Sequence, residues 1–191
     1  MAVIGRVMKI ERPALFDRCI VSLQDGLAGA LPWLDHVFGR VERLVKEQNG
    51  VRRYTPNVYL GGDEYLLLLP DQGLGNFCFF VLEDAEEVEW YVGDRSRLSA
   101  TFSLVVWLDM RTIDEDRDTR NTERVKADVL RALNGGVWVR EGSITVESIY
   151  SRAENVFDGF TLDEVDNQFL MSPFAGFRFE GTMKVKDECI L

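Results

Sequence analysis

Two segments of unbroken alternation constrain this chain more than anything else in it. Phe102, Leu104, Val106, Leu108 and Met110 take every second position in one, and Phe177, Phe179, Gly181, Met183 and Val185 do so in the other. Successive side chains on a strand point to opposite sides of its sheet, so a period of two collects each set on one face. In the second segment Arg178, Glu180, Thr182, Lys184 and Lys186 fill the intervening positions. A fold open to this chain therefore contains a sheet with at least these two strands and a core against one side of it.

The residues between and before them supply that core. Thr122, Val125, Val129 and Leu133 recur at helical spacing, behind candidate N-caps in 114–121 and ahead of Asn134-Gly135-Gly136. A further strand is expected through Ile144 and Val146, then a loop over 152–173 with one helical turn at 162–168. Near the N-terminus Pro13 suits a first helical turn, and Phe16, Ile20, Leu23 and Leu27 make one apolar stripe that ends around 29–32. A second helix is expected from Trp33, with Leu34, Val37, Phe38, Val41, Leu44 and Val45 on one side and Asn49-Gly50 as its stop. From 51 to 93 the texture is short strand runs between turn residues: 54–59, Gly61-Gly62-Asp63, 65–69, 70–75 and 77–82, followed by the alternating Val88, Trp90 and Val92. The expectation is one α+β domain over 1–191, with a mostly antiparallel or mixed sheet and helices packed on one face. Its parts are N-terminal helices at 13–48, hairpins at 51–93 and a sheet-plus-helix core at 99–186.

The bulk numbers narrow the function classes. With 191 residues, of which 46% are hydrophobic, one domain with a proper core is the default. The excess of 32 acidic over 22 basic residues gives a net charge of −10. That charge opposes a phosphate backbone and speaks against sequence-specific nucleic-acid binding. Cys19, Cys78 and Cys189 are odd in number and widely spaced, without a CxxC, which points to free thiols in a reducing compartment. The opening MAVIGRVMKIER has no apolar core of a signal peptide. The longest apolar runs fall far short of the ~20 residues that cross a bilayer. A cytoplasmic protein with no membrane partner is expected.

No constellation demands catalysis. His36 is the only histidine, and an amphipathic helix is its expected setting. Gly73-Leu74-Gly75 lacks the third glycine of a phosphate cradle and reads as turn residues. Asp114, Asp116 and Asp118 open like a calcium loop, but Thr119 and Val125 stand where its glycine and bidentate glutamate belong. They are better read as carboxylates near a helix N-terminus. Glu83, Asp84, Glu86, Glu87 and Glu89 form an acidic cluster, expected as a wet electrostatic or partner-binding face rather than a paired-carboxylate site. Trp33, Trp90, Trp107 and Trp138 are core or interface candidates, and Trp90, Tyr91 and Trp107, opposite the core positions of their strands, are the candidate subunit contact. No enzyme, cofactor or metal is expected.

The C-terminal half orders an alternating strand at 101–110, a loop and helix at 114–134, a strand at 143–150 and the ending Ser172-Pro173-Phe174-Ala175-Gly176-Phe177-Arg178-Phe179-Glu180. This order resembles prophage-encoded tail-terminator and head–tail joining (tail completion) proteins of phages. The resemblance implies a structural subunit, a homo-oligomer in a ring, often hexameric, that closes the tail tube or joins it to the head. Its partners would be other virion proteins, and no enzymatic step is involved. It carries no functional residue over. A net acidic ring would let DNA pass without binding it. Two other readings stay open: a non-enzymatic small-ligand or protein-binding α+β module, and a carboxylate-dependent hydrolase using Glu83, Asp84, Glu86 or Glu87.

Overall fold

The two alternating segments become neighbouring strands in a computed structural model that describes residues 5–48, 50–70, 73–91, 95–113, 122–134, 142–162 and 168–186, with side chains at all of these except 48, 84, 85, 90, 91, 95 and 96. In chain order the elements are α1 (Phe16–Ala30), β1 (His36–Arg40), β2 (Glu42–Gln48), β3 (Val51–Gly61), β4 (Glu64–Leu67), β5 (Phe77–Tyr91), β6 (Arg95–Asp109), α2 (Thr122–Asn134), β7 (Gly142–Tyr150), α3 (Ala153–Val156) and β8 (Phe174–Lys186). A five-stranded sheet runs β1-β5-β6-β8-β7, and a three-stranded sheet runs β2-β3-β4. Among the named strands β1 and β5 pair parallel and the other pairs are antiparallel; β6 and β8 pair without a break from Arg97↔Lys186 to Asp109↔Phe174. The fold is α+β with a mixed main sheet.

Each face of that sheet has its own core. On one face Phe102, Leu104, Val106 and Leu108 of β6 join Phe177, Phe179, Met183 and Val185 of β8. Against them lie Phe16, Cys19, Ile20, Leu23 and Leu27 of α1 and Val125, Val129 and Leu133 of α2, so both longer helices pack on one side. On the other face Phe77 and Phe79 of β5 and Val105 and Trp107 of β6 pack with Phe38, Val58, Leu68, Val156 and Phe157. The small sheet and the segment around α3 therefore form a third layer. Thr161 ties them together, its N–H donating to Tyr54 O at 2.7 Å and its Oγ1 accepting from Tyr54 N at 3.1 Å.

This third layer overturns the expected second helix. Residues 36–40 and 42–48 are strands. Val37 is buried in the first core and Phe38 in the second, because a strand covered on both sides buries consecutive residues. That run of apolar positions imitates a helical face. In place of the expected stop at Asn49-Gly50, β2 and β3 form a hairpin in which Gln48 pairs with Val51, and Gly50 has φ 76°. The helix after Pro13 starts at Phe16, one turn later than the proline suggests. The acidic cluster lies within β5, which runs on through an irregularity between Leu82 and Glu86. The turn expected at 162–168, Gly135-Gly136, Asp114–Asp118, Trp138 and Cys189 lie wholly or largely outside the described residues.

Three polar devices hold the layers together. Asn76, 2% exposed, donates from Nδ2 to Trp33 O (2.9 Å) and Thr112 Oγ1 (2.8 Å) and accepts at Oδ1 from Asp109 N (2.8 Å). Its N–H donates to Asp35 Oδ2, and its carbonyl accepts from Asp35 N and His36 N. The preceding Gly75 has φ 66°, and a Cβ there would run into the Asp35 carboxylate, so the turn reading of this glycine holds. Arg6 donates to Ala28 O, Leu31 O and Leu34 O, which engages carbonyls at and after the C-terminal end of α1. Arg178, on the second face, donates from Nη1 to Asp158 O at 2.9 Å and from Nη2 to Glu180 Oε1 at 3.3 Å, and its Nη2 lies 3.5 Å from Glu83 Oε1.

Candidate functional site

A cleft of about 740 Å³ opens between α1, the chain preceding it and the β3–β4 hairpin. Its size is that of a small-molecule site, which is roughly 300–1,000 Å³. The stripe that sends Ile20, Leu23 and Leu27 inward turns Asp17, Val21 and Gln24 toward this side of α1. Gly39 and Arg40 of β1 and Glu42 of β2 close one wall, and Lys9 and Glu11 lie on the incoming chain. Tyr59 and Tyr65, cross-strand partners with ring centroids 5.1 Å apart, form the aromatic rim and are about half exposed.

The electrostatics are uneven. Burial raises the Asp17 carboxyl above its ordinary 3.8; Arg40 opposes the rise, and Glu42 and Glu86 add to it. Lys9 is engaged by Asp25, its Nζ 2.6 Å from Oδ1. Gln24 is fully buried: Nε2 donates to Met8 O (2.6 Å) and Val37 O (3.0 Å), while Oε1 has no hydrogen-bond partner.

The residues singled out in the sequence do not assemble into one site. Glu83 lies near Arg178, Glu87 Oε2 accepts from Ser99 Oγ at 3.4 Å, and the side chains of Glu83, Glu86, Glu87 and Glu89 are exposed. The side chains of Asp84, Trp90 and Tyr91 lie outside the described residues. Trp107 is corrected from a contact surface to an internal position. It is 4% exposed, stacks between Phe77 and Phe174 at centroid distances of 5.6 and 5.5 Å, and donates from Nε1 to Phe169 O at 2.6 Å. His36 sits on β1, not a helix, its Nδ1 3.0 Å from Gly5 O and its ring stacked on Phe38. Cys19 and Cys78 are buried and in no disulfide among the described residues, and burial pushes the Cys78 thiol well above its usual range. Among the described residues no group of three or more His, Cys, Asp and Glu side chains is placed to hold a metal ion, and no helix is long and apolar enough to cross a membrane.

Sequence reading missed the cleft altogether. Asp17 and Gln24 are seven apart, two helical turns, on a helix whose other positions were read for core alone. That spacing was the available signal; the wall opposite belonged to strands expected as helix. Compared with known proteins, the chain matches no family model, and none of the curated proteins matches it.

Proposed function

We propose that the chain is a structural subunit of a phage tail, joined to its own copies edge to edge in a ring that closes the tail tube or joins it to the head. The observation that carries this reading is the outer edge of β7. Among the described residues β7 pairs with β8 alone, and Glu147 is its only charged residue. The small sheet's edge strand β2 instead carries Glu42, Arg43, Lys46 and Glu47, the kind of charge that keeps an edge from pairing. An open edge nearly free of charge is a template for another strand.

The opposite side of the sheet offers the matching edge. β1 leaves β5 at Phe80, so from Leu82 onward β5 pairs only with β6 among the described residues. β7 of one copy beside this half of β5 in the next is a head-to-tail contact, which closes into a ring when its rotation allows. Glu86, Glu87 and Glu89 stand on this projecting half, on both of its faces. Their charge supports a passage that repels the phosphates of DNA.

Light scattering over a wide concentration range, with negative-stain images of the heaviest species, tests the reading. Rings of one defined number with a central opening are the expected result. A monomer at every concentration would overturn it. The cleft between α1 and the β3–β4 hairpin favours a second reading, a non-enzymatic small-ligand-binding module.

A further inference from the structure

Past its contact with β4 the small sheet narrows to a two-stranded ribbon. β4 ends at Leu67 opposite Asn57, so among the described residues 51–53 of β3 pair with β2 alone. Both faces of this ribbon are open: Val45, Lys46, Glu47, Val51, Arg52 and Arg53 are all exposed, Val45 at 55% and Val51 at 59%. Two strands with neither a third strand nor an apolar cover are marginal in water.

The ribbon is also cationic in a chain that is not. Residues 43–54 hold Arg43, Lys46, Arg52 and Arg53 against Glu47 alone, while the whole chain carries −10. Directly opposed residues of an antiparallel pair share a face, and the register sorts these charges. On one face Arg43 lies over the Tyr54 ring, 4.1 Å from its centroid, and Arg52 stands opposite Glu47. On the other face Lys46 stands directly opposite Arg53, with Val51 two residues along. The first carboxylate along that face of β2 is Glu42, about 13 Å from Lys46 by strand rise. Among the described residues neither Lys46 nor Arg53 has an ion-pair partner. Like charges directly opposed destabilise a strand pair, so an anion from outside the ribbon completes this face.

The chain itself carries the complement. Glu86 and Val88, two apart on β5, share the face of their partners Ala100 and Leu98, and both are exposed, Val88 at 46%. Val51 and Arg53 have the same spacing on β3, about 7 Å along the strand in each case. The ribbon laid on this face of β5 sets Arg53 and Lys46 against Glu86 and Val51 against Val88, an apolar centre with a charged rim. Asp17 of α1 shares the field of Glu86, since burial raises its carboxyl and Glu42 and Glu86 raise it further, against Arg40. Within one copy the two surfaces do not cover each other, since both are exposed.

We infer that the distal β2–β3 ribbon is a docking arm that takes the face of Glu86 and Val88 on β5 in a second copy of this chain, with Lys46 and Arg53 meeting Glu86 there. For its occupant the inference rests on the ring reading, in which β7 takes only the edge of that half of β5 and leaves its face free. Glu87 and Glu89, on the opposite face, remain for the passage.

Charge reversal in the full chain tests the contact, read by sedimentation velocity and light scattering with negative-stain images. Lys46→Glu with Arg53→Glu reverses the arm and keeps its opposed like charges, and Glu86→Lys reverses the receiving face. The substituted side chains are exposed, and thermal unfolding confirms that both variants fold. Each is expected to associate with itself at least about tenfold more weakly than the parent, and a mixture of the two to regain the parent's association within about threefold. Parent association is expected to fall about tenfold between about 0.05 and 0.5 M salt. Arm-reversed chains that associate as the parent does would overturn the arm contact, and closed rings among them would leave the ring reading standing. Association that follows the charges but closes no ring would uphold the arm and remove the ring reading. A mixture that fails to regain association, a parent that stays monomeric, or arm-dependent binding of a labelled DNA duplex with no arm-dependence of self-association would overturn the proposal.

Discussion

Asn76 uses every polar atom it has, and its partners come from two separate stretches of chain: Trp33 with the Asp35–His36 pair, and Asp109 with Thr112. Replacing it with alanine strands Asp109 N and Trp33 O inside the fold. Asn76→Ala is expected to cost about 2–3 kcal/mol in urea unfolding, and a loss under about 0.5 kcal/mol would show the junction to be held by packing instead. Two carboxylates set opposite pH dependences. Asp17 has a raised pKa, so the stability it contributes is full below 3.8 and is lost as pH rises through the folded value; Asp17→Asn is expected to gain on the parent over that rise. Asp109 is lowered, chiefly by the side-chain hydrogen bond from Arg111. Its contribution is present above 3.8 and disappears as pH falls through the folded value, so the parent's advantage over Asp109→Asn is expected to vanish in acid. Thermal unfolding of the three proteins across the acid range checks both signs. At this scale Gly73 and Gly75 were legible as turn residues, and both have positive φ. Trp107 was legible as facing away from the first core, but nothing in its own strand said that a second core waited there.

Strands and helices whose apolar residues face one side were read well. β8, α1, α2 and β7 stand where their periodicity put them, within about three residues at the ends, and β6 holds the expected alternation but begins at Arg95, ahead of the expected 101. Failure came where a strand is covered twice: β1 buries Val37 and Phe38 in different cores, and its pattern is that of a helix face. The third layer was illegible for the same reason, because it is assembled by contacts between β3, α3 and β5 rather than by any local period. Arg178 anchors that layer, and Arg178→Met is expected to cost about 3 kcal/mol by stranding Asp158 O and leaving Glu180 without its cation. An unchanged urea midpoint would assign the layer's hold to its aromatics alone. On the open edge, Thr145→Lys is expected to abolish ring formation while leaving monomer unfolding unchanged, since the Thr145 side chain is exposed and its strand pairs with β8 alone among the described residues. Rings that persist in light scattering would remove β7 from the contact.

Taken whole, the molecule is a sheet between two unlike layers, helices on one face and strands with α3 on the other. Fold class was within reach of the sequence because both helices and the two longest alternations agree on one face. The cleft was not, because it lies where layers meet. The layering also gives the protein an internal clock. Cys19 rides on α1 and Cys78 on β5, both belong to the core between the helices and the main sheet, and neither exposes any surface, so a thiol reagent reaches them when that interface parts. If the helical layer lifts as a unit before the sheet separates, both are modified faster than the chain unfolds globally. If the two react at one rate equal to that of global unfolding, the layers open together and the fold behaves as a single cooperative body.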